Sequence, residues 1–455
     1  MNKNYIDGKW VDSHTGRTFP SINPATGEPL ADLPSSDAED VDRAVEAAAA
    51  AFDRWRKYPA PKRGEMLFTA GRLLQERKEK LARRMTEEMG KVLAETRGDV
   101  QEAIDMTFYM AGEGRRLVGE VRPSELPDKA CFVVRDPVGV VAAITPWNFP
   151  MAIPSWKLMP ALIAGNTLVF KPASDTPLLG CALVEILEEA GIPAGVVNLV
   201  HGSGDVVGHA LANHPKVQLV SFTGSTAAGR QIAMEGAASM KRVSLELGGK
   251  NAIIVLADAQ LDLAVEGILW SSFGTTGQRC TAASRIITEQ RAVEPLLEQL
   301  VPKTQKLRLG SGLEPNVDVG PLINEARRKT VHEYVGVGQR EGARLVTGGE
   351  PAAGPGFFYQ PTIFADVSPK MRIAQEEIFG PVAAVIPVSS IEEAVAVNNA
   401  TSYGLSTSIY TNDVRKAFQA MRDITTGLVY VNAGTIGAEI HLPFGGTRGT
   451  GNGHR

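Results

Sequence analysis

The stretch "VQLVSFTGSTAAGRQIAMEGA" (217–237) decides how the fold is read. A run rich in Val, Leu and Phe stops at Gly224-Ser225 and gives way to residues with helical spacing, which is a strand, a tight turn and a helix. The unit recurs upstream. "VGVVAAITPWNFP" (138–150) is a β-branched run halted by a Pro-rich turn, "SWKLMPALIAG" (155–165) reads as a helix, and "GNTLVFKPASDTP" (165–177) is a strand that delivers Lys171 to a second Pro-rich turn. "PLLGCALVEILEEAG" (177–191) is an amphipathic helix ended by Gly191 and Pro193, and "GVVNLVHG" (195–202) is the next strand. Strands alternating with helices predict an open parallel α/β sheet covered on both faces. A second α/β block runs from "KNAIIVLADAQLDLAVEGILWSSF" (250–273) through "GLSTSIYTNDVRKAFQAMR" (404–422), and the chain has no internal repeat or low-complexity segment.

Outside these blocks the pattern changes. Residues 35–112 read as nearly continuous helix, opened by Ser36 and Asp37 as caps and broken at Pro59 and Pro61, and make a packing layer on the sheet. "GEVRPSELPDKACFVVRDPVG" (119–139) has the composition of an extended hairpin whose edge can be offered to another subunit.

With 455 residues, 44% hydrophobic and 22% charged, the chain is long enough for two or three domains. A net charge of -4 without Lys/Arg tracts excludes nucleic acid or an anionic membrane as the main partner. No apolar run approaches membrane-spanning length, and "MNKNYIDGKWVDS" lacks the apolar core of a secretory signal, so the expected location is the cytoplasm. Cys131, Cys181 and Cys280 form neither a disulfide framework nor a zinc pattern, so no metal is expected and a reducing compartment fits.

Three features carry chemistry. In "SSFGTTGQRCTAASR" (271–285) Cys280 stands among small and polar residues beside Arg279, a setting that favours thiolate and leaves room for substrate; its local sequence alone leans slightly toward a core or loop cysteine. Gly274 to Gly277 are read as small residues that give access to it. Cys181, on the apolar face of a helix, and Cys131, in the hairpin, are read as structural. Glu246, inside the strand-like "VSLELGGKNAIIV" (243–255), is either a partly buried general base or a carboxylate paired with Lys250 or Lys241. The turn at Gly224-Ser225 puts small residues where a dinucleotide phosphate meets a helix N-terminus, although Gly-x-Gly-x-x-Gly is absent.

Together the motifs resemble the aldehyde dehydrogenase superfamily over essentially the whole chain. "ITPWNFP" (144–150), "KPASDTP" (171–177), "FTGSTAAG" (222–229), "LELGGKN" (245–251), "GQRC" (277–280), "EEIFGPV" (376–382) and "PFGG" (443–446) occur in the family's order and spacing. The resemblance implies two Rossmann-like open-sheet domains and a protruding hairpin arm. Residues 1–112 and 138–248 would form the dinucleotide-binding domain, 249–440 the catalytic domain, and 113–137 with 441–455 the oligomerisation elements of a homodimer or homotetramer.

The implied reaction oxidises an aldehyde to a carboxylic acid with NAD or NADP. Cys280 would attack the aldehyde carbon, the Asn148 side chain and the Cys280 N–H would hold the oxyanion, and Glu246 would activate the water that hydrolyses the thioester. The residues implied for the cofactor are Ile144, Thr145, Pro146, Trp147, Lys171, Ser174, Gly204, Phe222, Thr223, Gly224, Ser225, Leu247, Gly248, Glu377 and Phe379. Of these, Lys171 would hold the adenosine ribose, Glu377 the nicotinamide ribose, and Gly224-Ser225 the pyrophosphate. Lys157 would join a proton path.

Members that prefer NAD carry Glu where this chain has Ser174; a serine does not repel a 2'-phosphate, so NADP is permitted. The chain stops at "TRGTGNGHR", short of the family's C-terminal strand, so that oligomerisation element is expected to be incomplete. Arg279 would pair with a remote substrate carboxylate or with a local one. "GQRC" with "GAEI" (437–440) resembles the branch acting on 2-oxoglutaric or 2-aminoadipic semialdehyde, where Glu102 would meet an amino group. A coenzyme A-acylating relative, which needs no hydrolytic base, and a non-catalytic binding protein on the same fold are the alternatives, and the retained Glu246 and complete residue set stand against them.

Overall fold

The computed structural model describes residues 2–452. Two seven-stranded sheets organise the chain. In the first the order is Arg242–Glu246, Val217–Thr223, Val140–Ile144, Thr167–Lys171 and Val197–Leu199, all parallel, followed by antiparallel Asn4–Ile6 and Lys9–Val11 at the edge. The two N-terminal strands had no sequence reading, because three-residue strands are too short to show a period. Val140–Ile144 and Thr167–Lys171 are buried at every position, as expected of strands covered on both faces. The chain runs from Val140–Ile144 outward in one direction and then returns to place Val217–Thr223 on its other side. That reversal opens a crevice beyond the C-terminal ends of the two strands, where Ile144 and Thr223 end.

The second sheet has the order Arg344–Thr347, Thr362–Ala365, Val382–Val388, Ala283–Glu289, Asn251–Val255, Ser406–Tyr410 and Leu428–Val431. All pairs are parallel except the outer one, Arg344–Thr347 with Thr362–Ala365. Helices Ala38–Lys57, Ala60–Glu76, Lys78–Met89 and Leu93–Glu113 form the layer read from residues 35–112. Asp37 caps the first helix in a reciprocal box with Asp40. Ser36 does not cap it: its hydroxyl accepts from Asn4 Nδ2 at 2.8 Å, because the N-terminal edge strand lies beside it. Glu120–Pro123 and Ala130–Val133 pair as the expected hairpin. Cys131 is exposed there, so it packs into no core of this chain, whereas Cys181 is buried with Sγ 3.2 Å from His201 Nε2.

Between helix Leu261–Phe273 and strand Ala283–Glu289 the chain makes one tight turn. Thr275 (φ 51°), Thr276 (φ 57°) and Gly277 (φ 68°) are consecutive left-handed residues. Residues 274–277 are buried and line neither of the two cavities that reach Cys280, which corrects the expectation that they open access; they redirect the chain so that Cys280 emerges at the crevice. A Cβ on Gly277 would stand 2.2 Å from the Gly380 carbonyl oxygen. Backbone cannot yield as a side-chain tip does, and the left-handed φ adds strain. Gly277→Ala is therefore expected to destabilise the protein by about 2–4 kcal/mol in urea unfolding and to lower turnover with it.

Candidate active site

Two cavities meet at Cys280. The first, about 380 Å³, is the crevice at the strand ends. It is lined by Ile144, Thr145, Pro146, Trp147 and Asn148 from one strand end, and by Lys171 and Ser174 from the next. Phe222, Thr223, Gly224 and Ser225 follow from the third strand end, with Leu247, Gly248, Gly204, Glu377 and Phe379 closing the circuit. The second, about 300 Å³, is lined by Glu246, Arg279, Glu102, Glu95, Asp99 and a mainly aromatic wall of Phe149, Trp156, Trp270 and Phe444. Cys280, Thr223, Leu247 and Ile153 line both.

Cys280 is fixed through its neighbours. Asn251 Nδ2 donates to the carbonyl oxygens of Cys280 (2.6 Å) and Ala282 (2.9 Å), and Asn148 Nδ2 donates to Gln278 O at 3.1 Å. Gln278 is held in turn by Ile323 N–H on its Oε1 (2.9 Å), and Thr276 Oγ1 donates to Gly320 O at 2.8 Å. Two successive β-branched residues in the left-handed region persist only when surroundings over-determine them, and these bonds supply that determination. Glu246 ends strand Arg242–Glu246 and is 3% exposed. Lys241 donates instead to the Ala212 and His214 carbonyls.

The first cavity has the donor set of a dinucleotide site. Ser225 caps helix Thr226–Ala238 and with Gly224 lines the cavity, which brings the positive end of the helix dipole to its wall and suits a diphosphate. Lys171 is buried and donates to Pro172 O at 3.0 Å; burial pushes its ammonium down to about 8, with the nearby Asp175 charge opposing the shift. Glu377 accepts from Gly249 N–H at 2.9 Å, and burial raises its pKa. A Cβ on Gly248 would stand 2.1 Å from Glu377 Oε2, so that carboxylate can lie there only against a glycine. Trp147 and Phe379 meet edge to face at 5.4 Å, forming an aromatic wall for a flat ring. Ser174 Oγ donates to Gly202 O at 3.0 Å, leaving no carboxylate at that position.

In the second cavity Arg279 is buried and bonded to Glu95 Oε1 (3.1 Å) and Thr275 Oγ1 (2.8 Å). The local ion pair expected as one of two alternatives is therefore present, and Arg279 still lines the cavity. Glu102 lines it too, its carboxyl pushed up to about 8 by burial and by the Asp99 charge. Lys157 lines neither cavity: helix Ala152–Ile163 turns it toward the sheet, where Nζ donates to Ser221 Oγ at 3.0 Å.

Sequence reasoning missed Arg327, Asp175 and the carboxylate stripe Glu95, Asp99. Arg327 lies over Phe379 (5.7 Å) from a helix with no motif, and Asn324 Nδ2 reaches Asp175 Oδ1 (2.9 Å) across the cleft. Glu95, Asp99 and Glu102 were legible only as one helix face at spacings of four and three.

Comparison with known proteins agrees with this geometry. The model of the aldehyde dehydrogenase family matches residues 10–455. Alpha-ketoglutaric semialdehyde dehydrogenase of Bacillus subtilis is 42% identical over 450 residues, covering 98% of this chain and 92% of its own. The NADP(+) succinate-semialdehyde dehydrogenase of Escherichia coli is 40% identical over 448 residues, with 98% and 93% covered. Betaine aldehyde dehydrogenase of Staphylococcus aureus in complex with NAD+ superposes with a TM-score of 0.98 at 35% identity, with 100% and 91% covered. The chain belongs to the aldehyde dehydrogenase family and oxidises an aldehyde to a carboxylic acid with NAD(P)+ as hydride acceptor.

Proposed function

We propose that Cys280 is the nucleophile and that the substrate is an aldehyde with a carboxylate at its far end, the semialdehyde of a dicarboxylic acid. The observation that carries the substrate is Arg279, a guanidinium in the wall of the same cavity as Cys280. Relatives named for 2-oxoglutaric, succinic and glutaric semialdehydes support it. The Glu102 carboxyl in that wall favours a second reading, in which the substrate also carries an amino group, as 2-aminoadipic semialdehyde does.

The thiolate of Cys280 attacks the aldehyde carbon, and the new oxyanion turns toward Asn148, which lines the cofactor cleft beside it. NAD(P)+ supplies the hydride acceptor. Ile144 to Trp147, Phe222, Thr223, Leu247 and Gly204 shape the cleft for it, with Lys171 and Ser174 on the adenosine ribose, Gly224 and Ser225 on the diphosphate, Glu377 on the nicotinamide ribose and Phe379 against the ring. Glu246 lines the other cavity and takes a proton from the water that attacks the thioester, returning free thiol and carboxylic acid.

The domain boundaries of this reading are 1–112 with 138–248 for the dinucleotide, 249–440 for catalysis, and 113–137 with 441–455 for self-association; Met1 and residues 453–455 lie outside the described ones. Val121, Phe132 and Val134 on and beside the hairpin are 69–74% exposed, an apolar edge suited to a second copy in a homodimer or homotetramer. No helix of the described residues is long and apolar enough to cross a membrane, and the reading places the enzyme in the cytoplasm.

Cys280→Ala is expected to abolish aldehyde-dependent formation of NAD(P)H. Glu246→Gln should retain a burst near one NAD(P)H per subunit in stopped-flow absorbance, followed by turnover slowed about 10²- to 10⁴-fold, because only hydrolysis needs the base; a variant without a burst contradicts the role. Arg279→Ala should erase the preference for ω-carboxylated over plain aldehydes of equal length, read as a ratio of kcat/KM. The native enzyme should use both cofactors, and Ser174→Glu should lower NADP efficiency about 100-fold, ~2.7 kcal/mol, while sparing NAD. Native NADP activity below about a hundredth of that with NAD would refute the argument from Ser174.

A further inference from the structure

Arg279 reaches the cavity with its charge already engaged. The Arg279 and Glu95 side chains are 4% and 3% exposed, and the guanidinium lies 4.6 Å from the Trp270 ring centre and 5.7 Å from that of Phe149. Glu95 is equally constrained. It accepts from Thr275 N–H at 2.8 Å and from Thr275 Oγ1 at 3.2 Å, on the left-handed turn that leads to Cys280. Neither partner can swing aside without breaking buried hydrogen bonds, so the pair is costly to open.

The other cation nearby is also engaged. Lys91 Nζ lies 2.6 Å from Asp99 Oδ2 and 3.8 Å from the Phe149 ring centre. Helix Leu93–Glu113 thus sets Glu95, Asp99 and Glu102 on the face lining the cavity, against Arg279 and Lys91. In this weakly screened wall a substrate carboxylate approaches Arg279 as a second anion beside Glu95 and shares its charge.

Resting on the reading that the substrate is ω-carboxylated, we propose that Glu95 is a specificity-determining residue: the resident counter-ion with which a substrate carboxylate competes for Arg279. It holds selectivity for carboxylated aldehydes below what the arginine alone would give. A neutral group in its place makes the site one unit more positive and leaves the guanidinium to the substrate.

The test compares kcat/KM for 5-oxopentanoate and for pentanal, equal in length and differing in the terminal carboxylate. Glu95→Gln keeps an oxygen for Thr275 N–H while removing the charge, and should raise the ratio about tenfold, equivalent to ~1.4 kcal/mol. Glu95→Asp, which withdraws the carboxylate by one methylene, should raise it less. The rise should vanish when Arg279→Ala is added to Glu95→Gln. Binding of glutarate, followed by calorimetry, should tighten in parallel and gives a reading independent of turnover.

A ratio that stays within about twofold of native in Glu95→Gln overturns the inference, whatever the native ratio is. A rise that persists without Arg279 overturns it too. If circular dichroism shows that neither Glu95 variant folds, Glu95 is a fold element and the inference falls. A native ratio near one removes the substrate reading separately, while a tenfold rise in Glu95→Gln would still support competition at Arg279.

Discussion

Everything at the reactive centre depends on a left-handed turn of three residues that the chain would not adopt alone. Thr275 and Thr276 carry branched Cβ atoms into a region of φ that such residues avoid, and Gly277 continues the turn where only a glycine clears the Gly380 carbonyl. The compensation comes from three directions. Glu95 binds Thr275 from the helical layer, Gly320 accepts from Thr276, and Gln278 is gripped by Asn148 on its carbonyl and by Ile323 on its side chain. Because the anchors belong to elements from both halves of the molecule, the position of Cys280 reports how those halves are packed. Held this way, the proposed nucleophile is placed before substrate arrives, which is the arrangement that saves ordering entropy during reaction.

Burial of charge is the second constraint, and the molecule meets it differently in its two cavities. Around the second cavity two buried cations are neutralised by carboxylates on one helix face: Arg279, in its wall, by Glu95, and Lys91, behind the wall, by Asp99. In the cofactor cleft burial holds the Lys171 ammonium less firmly protonated than a solvent-exposed lysine, and only its bond to the Pro172 carbonyl oxygen and the nearby Asp175 charge oppose that. A cleft that binds an anionic dinucleotide gains from leaving its cation lightly engaged, since the ligand then provides the missing partner. A cavity that must admit aldehyde and release acid gains from paired charges, because an unpaired guanidinium would hold the product.

The division between what the sequence discloses and what it hides follows the same physics. Fully buried parallel strands such as Val140–Ile144 and Thr167–Lys171 announce themselves as apolar runs ending at Pro or Gly, and the residues at their C-terminal ends are the ones that meet in the cleft. Cys280 and Glu246 were ambiguous one at a time; motif order and spacing, not local composition, drew them together. The direction of Lys157 was hidden, because a lysine on an amphipathic helix gives no sign of which way it is turned, and the structure turns it to Ser221. The small residues 274–277 were read for their size when their φ values were what mattered. Glu95 left no signal beyond a helical stripe, since its partners lie 180 and more residues away.

On the proposed roles the two cavities also separate the two halves of the reaction in space. Cys280 lines both, Asn148 lines only the cofactor cleft, and Glu246 only the substrate cavity. Oxidation, as proposed, sends the oxyanion and the hydride toward the cleft, and hydrolysis brings water from the opposite side under the control of Glu246. The aromatic wall of Phe149, Trp156, Trp270 and Phe444 keeps bulk water thin on the Glu246 side as well, which strengthens the charge interactions that Glu95 and Arg279 exert on whatever aldehyde is held there. On the proposed roles substrate choice is thus made in the cavity where the thioester is hydrolysed, and the same wall charges act on the entering aldehyde and on the departing acid.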